Sequence, residues 1–265
     1  MERDILTEIV ELKRKEVAEL KISQPLAGLK EQIKRRKYYR GFYAAMADTV
    51  DDVRIIAEIK RASPSRGIIC EDLDPAKVAV DYQIGGAKAI SVLTEREFFK
   101  GSLQDLEAVH DACSLPILRK DFTIEEYQIY ESAAYGADAI LLIVRLLEKQ
   151  QLKDYISLAT EIGLDCLVEI HHDSDVEKLE SSGAKIIGIN NRDLKTFETS
   201  LDVAIRMVNL LGKKYMPVAA SGIFTRADVE ANLAAGVHGF LIGESLVRAD
   251  DAVKFLQELR GVVEE

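Results

Sequence analysis

The sequence predicts an α/β fold, a (β/α)8 TIM barrel with an N-terminal helical extension. The first observation is that eight short apolar runs alternate with segments of helical periodicity, a pattern typical of a parallel sheet with crossover helices. The second is that four helical segments end in a glycine, followed by a small residue and the next strand. This repetition indicates a modular array of βα units.

The extension precedes the first strand. Its apolar residues recur at helical spacing between charges of both signs, at Ile5, Ile9, Leu12, Val17 and Leu20. They predict an amphipathic helix rather than a secretory signal, since there is no uninterrupted apolar core or small-residue cleavage site. We expect one domain over residues 1–265, with the extension at 1–50 and the barrel at 51–265. The extension should cap the N-terminal end of the barrel or flank its mouth.

The strands follow in order, and they are short and apolar because a barrel buries both of their faces. They begin at Arg54, Lys88, Pro116, Asp138, Asp165, Lys185, Met216 and Val237. Helical segments lie between them, for example at 74–87, 123–137, 147–163 and 226–237. An open doubly wound sheet is the structural alternative, but no Gly-x-Gly-x-x-Gly turn follows the first strand.

Composition narrows the class of protein. Hydrophobic residues make up 48% and charged residues 30% of the 265 residues, which is ordinary for a globular chain. The net charge of −10 repels nucleic acid and anionic membranes, so an anionic ligand needs a local basic cluster. No apolar run approaches the length of a membrane span. The 3 cysteines fit no metal or redox spacing, which predicts a cytoplasmic protein.

Polar residues stand at the carboxyl ends of several strands, where barrels of this type place their active sites. These residues are Glu58, Lys60, Lys120, Glu169, Asn190 and Arg192. Alternation along each strand points Glu58 inward with Ile56, and Lys120 inward with Leu118. Lysines and carboxylates at one mouth tune each other's protonation and suit general acid and base chemistry. For any one of them alone, a structural ion pair is an equal alternative.

The last two strands lead into loops of a different kind. Ser221 and Gly222 follow one strand, and Gly243 and Glu244 follow the next, each just ahead of a helix. Backbone amides at these two positions commonly hold a phosphate group in such barrels. Either loop alone could be an ordinary capped turn. The adjacent pair predicts a phosphorylated small-molecule substrate.

Two further stretches carry weaker signals. His171 and His172 follow Glu169, but no other ligand stands at metal spacing on a shared element, so we expect a loop or capping role and no metal. The basic and aromatic residues at 34–40 are few in an acidic chain. A solvated helix end fits them better than a nucleic-acid surface.

Six motifs together resemble those of the indole-3-glycerol phosphate synthase family. They are IIAEIKRASPSRG from Ile55, PILRKDF from Pro116, LVEIH from Leu167, GINNRDL from Gly188, ASGI from Ala220 and FLIGESLVRADD from Phe240. The resemblance covers nearly the whole chain, including TEREFFKGS from Thr94 and the extension. It implies a barrel enzyme that converts 1-(2-carboxyphenylamino)-1-deoxyribulose 5-phosphate to indole-3-glycerol phosphate, carbon dioxide and water.

The resemblance also implies roles for individual residues. Lys120 would be the general acid that protonates the substrate carbonyl. Glu169 would handle protons during the later dehydration, assisted by Lys60. Glu58 would hold the lysines and contact the substrate, and Asn190 would orient a hydroxyl group.

The remaining implied residues bind the substrate. Ser63, Ser65 and Arg192 suit its carboxylate end. The apolar wall would be formed by Phe99, Phe122, Leu141 and Leu194, with Leu241 also in the binding set. The phosphate would be held by Ser221, Gly222, Gly243 and Glu244, largely through backbone amides. One position departs from the family, because Ala220 stands where a glutamate is typical, so substrate positioning or a proton step should suffer.

Two other readings remain open. One is a different phosphate-binding barrel, such as phosphoribosylanthranilate isomerase or the tryptophan synthase alpha chain. The other is a catalytically silent barrel that only binds a ligand or partner, which Ala220 favours. For the leading hypothesis we expect no cofactor, no nucleic-acid or membrane partner, and a monomer or weak homodimer.

Overall fold

A closed barrel of parallel strands organises the chain. The computed structural model describes residues 5–49, 53–192 and 198–262. The barrel strands are β1 (Arg54–Ile59), β4 (Ala89–Leu93), β5 (Ile117–Lys120), β6 (Ala139–Ile143), β7 (Asp165–Ile170), β8 (Ile186–Asn190), β9 (Met216–Ala220) and β10 (Gly239–Ile242). A small antiparallel hairpin, β2 (Ala62–Ser63) and β3 (Gly67–Ile68), lies in the loop after β1.

Helices separate most of the strands. The extension holds α1 (Ile5–Ser23), α2 (Leu26–Arg35) and α3 (Phe42–Ala47). The others are α4 (Pro75–Ile84), α5 (Leu103–Ala112), α6 (Glu126–Ala134), α7 (Lys149–Ile162), α8 (Val176–Leu179), α9 (Asp202–Leu211), α10 (Arg226–Ala234), α11 (Glu244–Val247) and α12 (Ala252–Arg260). None of the helices within the described ranges is long and apolar enough to cross a membrane.

The strands pair in chain order around the barrel, and β1 closes the ring by pairing with both β10 and β4. All barrel pairs are parallel, so every carboxyl end lies at the same mouth. The register brings Glu169 beside Gly188 and Asn190 beside Ala220. The predicted (β/α)8 barrel is therefore confirmed, with each strand close to its expected position.

The core has two layers because alternate residues of each strand face opposite ways. Ile56, Leu118, Leu167 and Val218 pack together inside the barrel. Their neighbours along the strands, such as Ala57, pack outward against the helices. This alternation confirms the predicted inward direction of the Glu58 and Lys120 faces.

The extension covers both ends of the barrel. Phe42 and Met46 of α3 are fully buried and pack with Ile56, at the end opposite the mouth. In α1, Ile5 and Ile9 reach the mouth instead. Both expected positions of the extension are thus occupied, each by a different helix.

Two arginines of the basic stretch at 34–40 contact the barrel, whereas most of its other residues are exposed. Arg36 forms an ion pair with Asp138 and donates to the carbonyl oxygens of Ala133 and Ala137. Arg40 donates to carbonyl oxygens at the ends of neighbouring segments. The expectation of a solvated helix end is wrong for these two arginines, because they donate hydrogen bonds to backbone carbonyl groups of the barrel units.

The predicted glycine stops have the backbone geometry that only glycine adopts readily. Gly86, Gly136, Gly183 and Gly236 have φ values of 85°, 92°, 88° and 88°. A side chain in this left-handed region would be strained. These residues end four βα units and turn the chain into the next strand.

Candidate active site

The carboxyl ends of the strands enclose one cavity, and the predicted site residues line it. They are Glu58, Lys60, Ser63, Ser65, Phe99, Lys120, Phe122, Leu141, Glu169, Asn190, Arg192, Ser221, Gly222, Leu241, Gly243 and Glu244. Leu194, also predicted, lies outside the described residues. Residues from distant parts of the chain meet here because all barrel strands are parallel.

The first pair of charges comes from β1. Glu58 is almost fully buried, and Lys60 lies just beyond the end of the strand. The Lys60 Nζ atom is 2.7 Å from Glu58 Oε1, a normal charge-assisted hydrogen bond. This pair places one cation and one anion at the cavity edge with a fixed orientation.

A second pair faces it across β5 and β7. Lys120 Nζ is 3.6 Å from Glu169 Oε2, longer than a hydrogen bond, so both groups can still engage a ligand. Burial alone would lower the pKa of Lys120, but the Glu169 and Glu58 carboxylates outweigh it and the pKa lies above its ordinary value. Lys120 therefore carries a proton at neutral pH.

Glu169 is held in the opposite charge state. Burial would raise the pKa of this carboxyl, but the charge of Lys120 and a hydrogen bond from Asn190 together bring it below its ordinary value. Asn190 Nδ2 is 3.3 Å from Glu169 Oε1. The site thus pairs a protonated amine with an ionised carboxylate at one mouth, which suits acid and base work in a single cycle.

Arg192 connects β8 to two other loops. Its backbone N–H donates to Asn190 Oδ1 at 3.0 Å, which fixes the orientation of that amide. Its guanidinium donates to Ser65 Oγ at 3.2 Å and lies 3.5 Å from Glu244. Arg66 also contacts Glu244, at 3.0 Å. These basic side chains are the local cluster that an anionic ligand requires in an acidic chain.

An apolar wall closes another side of the cavity. The rings of Phe99 and Phe122 lie 6.2 Å apart at a tilt of 42°, within the range of favourable aromatic contacts. The wall continues into α1 through Ile5, Leu6 and Ile9. The sequence did not assign these three residues to the site, although the helical spacing of Ile5 and Ile9 marks an apolar face that needs a partner.

The loops after β9 and β10 bring backbone close to the cavity. Ser221 and Gly222 both have left-handed φ values, 70° and 79°. A Cβ added to Gly243 would lie 2.5 Å from Glu58 Oε1, so a side chain there would displace the Glu58 carboxylate. Both loops thus bring backbone to the cavity wall, the position that a phosphate cradle needs.

Ala220 lines the same cavity and is buried. It packs in the inner layer with Val218, so its side chain faces the inside of the barrel. Its register partners are Asn190 and Leu241. A methyl group therefore occupies a mouth position next to polar site residues.

A buried network of charged residues lies next to Lys120 on β5. Asp121 accepts from Thr94 at 2.7 Å and from Arg119 at 3.0 Å, and Lys13 of α1 lies 2.9 Å away. Sequence reasoning missed this network, although two charges flanking Lys120 on the outward face of a strand should have partners. It ties the extension to the strand that carries Lys120.

His171 lies in the loop directly after β7, as expected. Its ring is buried against Glu169 and Asn190, and sequence reasoning missed this contact. Alternation could have found it, because His171 follows Leu167 and Glu169 on the same face. No cluster of three or more His, Cys, Asp or Glu suited to a metal occurs in residues 5–49, 53–192 and 198–262.

Comparison with solved structures finds the same barrel fold in other proteins. The 3-hexulose-6-phosphate synthase of Salmonella typhimurium has a TM-score of 0.63 at 14% identity, over 79% of this chain and 98% of that chain. A chain of the tryptophan synthase complex of Pyrococcus furiosus has a TM-score of 0.57 at 15% identity, over 80% and 98%. At such low identity these likenesses establish the fold alone.

Sequence comparison is more specific. The family model described as indole-3-glycerol phosphate synthase matches residues 6–259. The protein of that name from Desulfosudis oleivorans is 55% identical, over 97% of this chain and 98% of the relative. The one from Alkaliphilus metalliredigens is 43% identical over the same shares. The chain therefore belongs to the indole-3-glycerol phosphate synthase family.

Proposed function

We propose that this protein closes the indole ring of 1-(2-carboxyphenylamino)-1-deoxyribulose 5-phosphate and forms indole-3-glycerol phosphate, a carboxy-lyase step of tryptophan biosynthesis. The observation that carries the proposal is the convergence of two lysine–carboxylate pairs on one cavity that the loops after β9 and β10 also line. This layout separates the group that anchors the substrate from the groups that react.

The substrate is held at its two ends. The loop amides at Ser221, Gly222 and Gly243 receive the phosphate, while Arg192 and its neighbouring serines receive the carboxylate. The aromatic ring lies on the Phe99 and Phe122 wall. Fixing both ends brings the ring carbon close to the carbonyl group, which removes much of the entropic barrier to ring closure.

Ring closure uses Lys120 as the proton donor. The aromatic carbon that bears the carboxylate attacks the carbonyl carbon, and the carbonyl oxygen takes a proton from Lys120 to become a hydroxyl group. The bond to the carboxylate then breaks, carbon dioxide leaves, and its electron pair restores the aromatic ring. The raised pKa of Lys120 keeps the required proton in place before the reaction.

Dehydration completes the indole. Glu169 removes a proton from the neighbouring methylene carbon, and the hydroxyl group leaves as water with a proton from Lys60. The new double bond closes the aromatic system. Asn190 orients the departing hydroxyl, and Glu58 holds Lys60 in position. The lowered pKa of Glu169 keeps it ready to accept a proton.

A direct assay tests the proposal. The protein is mixed with the carboxyphenylamino-deoxyribulose phosphate, and indole fluorescence is followed together with released carbon dioxide. We expect both to rise in equal amounts. Absence of turnover above background, at a concentration where the carbonyl-reduced alcohol analogue binds, would contradict an enzymatic role.

Ala220 supports a second candidate, a barrel that binds the phosphorylated ligand without converting it. A methyl group at this mouth position accepts no hydrogen bond and carries no charge. The same assay separates the two candidates, since the silent barrel binds the alcohol analogue but yields no indole.

We further propose that the protein acts in the cytoplasm as a monomer or weak homodimer. Cys70, Cys113 and Cys166 form no disulfide, which suits a reducing compartment. Analytical ultracentrifugation at micromolar concentration tests the assembly state, and a stable higher oligomer would overturn it.

A further inference from the structure

A buried imidazole lies against the carboxylate that the proposed chemistry uses as a base. His171 directly follows β7 and is only 7% exposed. Its Nε2 atom lies 3.4 Å from Glu169 Oε1 and 3.3 Å from Asn190 Nδ2. Glu169 and Asn190 line the cavity, so His171 contacts the site from one layer further inside the protein.

The backbone holds this ring in place. The N–H groups of His171 and His172 both donate to Asp175 Oδ2, at 2.8 and 3.0 Å. These two hydrogen bonds therefore fix the backbone of the loop after β7 at His171. A ring fixed in this way can orient a neighbouring side chain rather than merely follow it.

The hydrogen-bond pattern assigns the proton on the ring. The Asn190 amide is oriented by Arg192 so that its NH2 group faces both Glu169 and His171. Asn190 Nδ2 can only donate and Glu169 Oε1 can only accept, so Nε2 either carries a proton and joins Asn190 in donating to Glu169 Oε1, or is bare and accepts from Asn190. His171 Nδ1 is buried without a hydrogen-bond partner among the described residues, so a proton there would be stranded.

The charged groups around the ring agree with a neutral imidazole. Burial lowers the pKa of His171, and Arg145 and His172 act in the same direction. Glu169 and Asp175 oppose them without reversing the shift. Lys120 lies on the far side of Glu169. At neutral pH the ring is therefore a hydrogen-bond donor without a charge.

We propose that His171 is a positioning residue that donates from Nε2 to Glu169 and holds this carboxylate ionised and aimed at the reacting substrate. The inference rests on the proposed function, because Glu169 acts there as the proton acceptor. A residue that only fills space would need neither a polar contact with Glu169 nor a defined tautomer. The proposed role of His171 needs the polar contact and a proton on Nε2.

Removing the donor has a defined consequence. Burial favours the protonated form of Glu169, and Lys120 and Asn190 oppose it. The hydrogen bond proposed from His171 opposes it as well, because it stabilises the ionised carboxylate. Without it, the pKa of Glu169 rises, and the acidic limb of the kcat profile should move up by about half to one pH unit. KM should change little, since the ring does not line the cavity.

Three variants test this by steady-state kinetics across pH. His171→Leu removes the donor, while His171→Gln can place an N–H group near the position of Nε2 without a titrating ring. His172→Gln is the matched control on an exposed neighbour. We expect His171→Leu to lose about tenfold in kcat on the acidic side and to recover at higher pH, with His171→Gln within about twofold of the parent and the control unchanged.

A second measurement needs no turnover. The chain has only 4 histidines, so nitrogen-15 NMR of labelled protein can assign the His171 ring by comparison with His171→Gln. A neutral ring with its proton on Nε2 is expected. A proton on Nδ1, a charged ring at neutral pH, or equal pH-independent losses in the Leu and Gln variants would overturn the proposal. Absence of turnover in the parent protein would instead refute the proposed function and leave the NMR result to decide the tautomer.

Discussion

The two lysines of the cavity are held at different distances from their carboxylates. Lys60 makes a 2.7 Å contact with Glu58, whereas Lys120 lies 3.6 Å from Glu169. A short contact fixes a group in place, and a longer one leaves it able to meet a substrate. The difference agrees with proton donation to the substrate carbonyl by Lys120, while Lys60, held by Glu58, acts only in the later dehydration.

Much of this arrangement could be predicted from single residues. Strand alternation and the common direction of parallel strands place Glu58, Lys120 and Glu169 at one mouth. The contacts of His171 and Lys13 could not be predicted, because they depend on side chains brought together from different elements. The local sequence predicts which way a side chain points, but it does not predict which atoms that side chain contacts.

Ala220 leads to a prediction at this scale. Ala220→Glu adds a carboxylate beside Asn190, where the family resemblance implies one. We expect kcat/KM to rise by about tenfold or more, since a preorganised polar group at the reacting end stabilises the transition state. Steady-state indole formation measures the effect, and Ala219→Glu, on the outward face, should instead destabilise the fold. An unchanged rate would mean that this position is dispensable.

At the level of elements, α1 is part of the site rather than an appendage. Its apolar residues line the cavity, and Lys13 anchors it to Asp121, next to Lys120. Burial would lower the pKa of Lys13, but Asp121 and Glu16 outweigh it and raise the pKa. The amine therefore remains charged and holds the helix to β5.

Lys13→Met tests this anchor. The change keeps the length of the side chain but removes the charge, and Arg119 remains as a partner of Asp121. We expect a loss of about 1.5–3 kcal/mol in unfolding free energy, the usual value of a hydrogen bond to a charged group, together with a higher KM. Urea unfolding and kinetics measure both. Lys15→Met, at an exposed position of the same helix, is the control, and equal effects in the two variants would contradict a specific anchor.

At the scale of the whole molecule, the closed barrel explains why the fold was predictable and the extension less so. Eight repeated βα units must bury both faces of every barrel strand, so the sequence pattern of the eight barrel strands predicts the fold. The extension has no repeat, and its position depends on which end of the barrel each helix meets. Only the structure separates the roles of α1 and α3.

The buried network also predicts how stability depends on pH. Burial would raise the pKa of Asp121, but Lys13 and Arg119 outweigh it and hold the pKa well below its ordinary value of 3.8. A depressed carboxyl pKa contributes stability that is complete above about pH 5 and is lost as the pH falls towards the folded-state pKa. Asp121→Asn should therefore lower stability at pH 7 and flatten its decline below about pH 4.

Thermal unfolding of the parent and Asp121→Asn between about pH 3 and 7 measures this dependence. Asp173→Asn is a suitable control, because its ion pair with Arg206 is exposed and should contribute little. Parallel pH curves for the parent and Asp121→Asn would contradict the assigned ionisation of the network.

The central claim is that reaction and phosphate anchoring are performed by different strands of one cavity. Lys120→Ala tests it most directly, with turnover measured by indole fluorescence and binding of the alcohol analogue by calorimetry. We expect kcat to fall by about 10²–10⁴-fold while the Kd of the analogue changes by less than about tenfold. Lys153→Ala, at an exposed position of α7, should match the parent. Retained turnover, or equal losses of turnover and binding in a folded variant, would contradict the account.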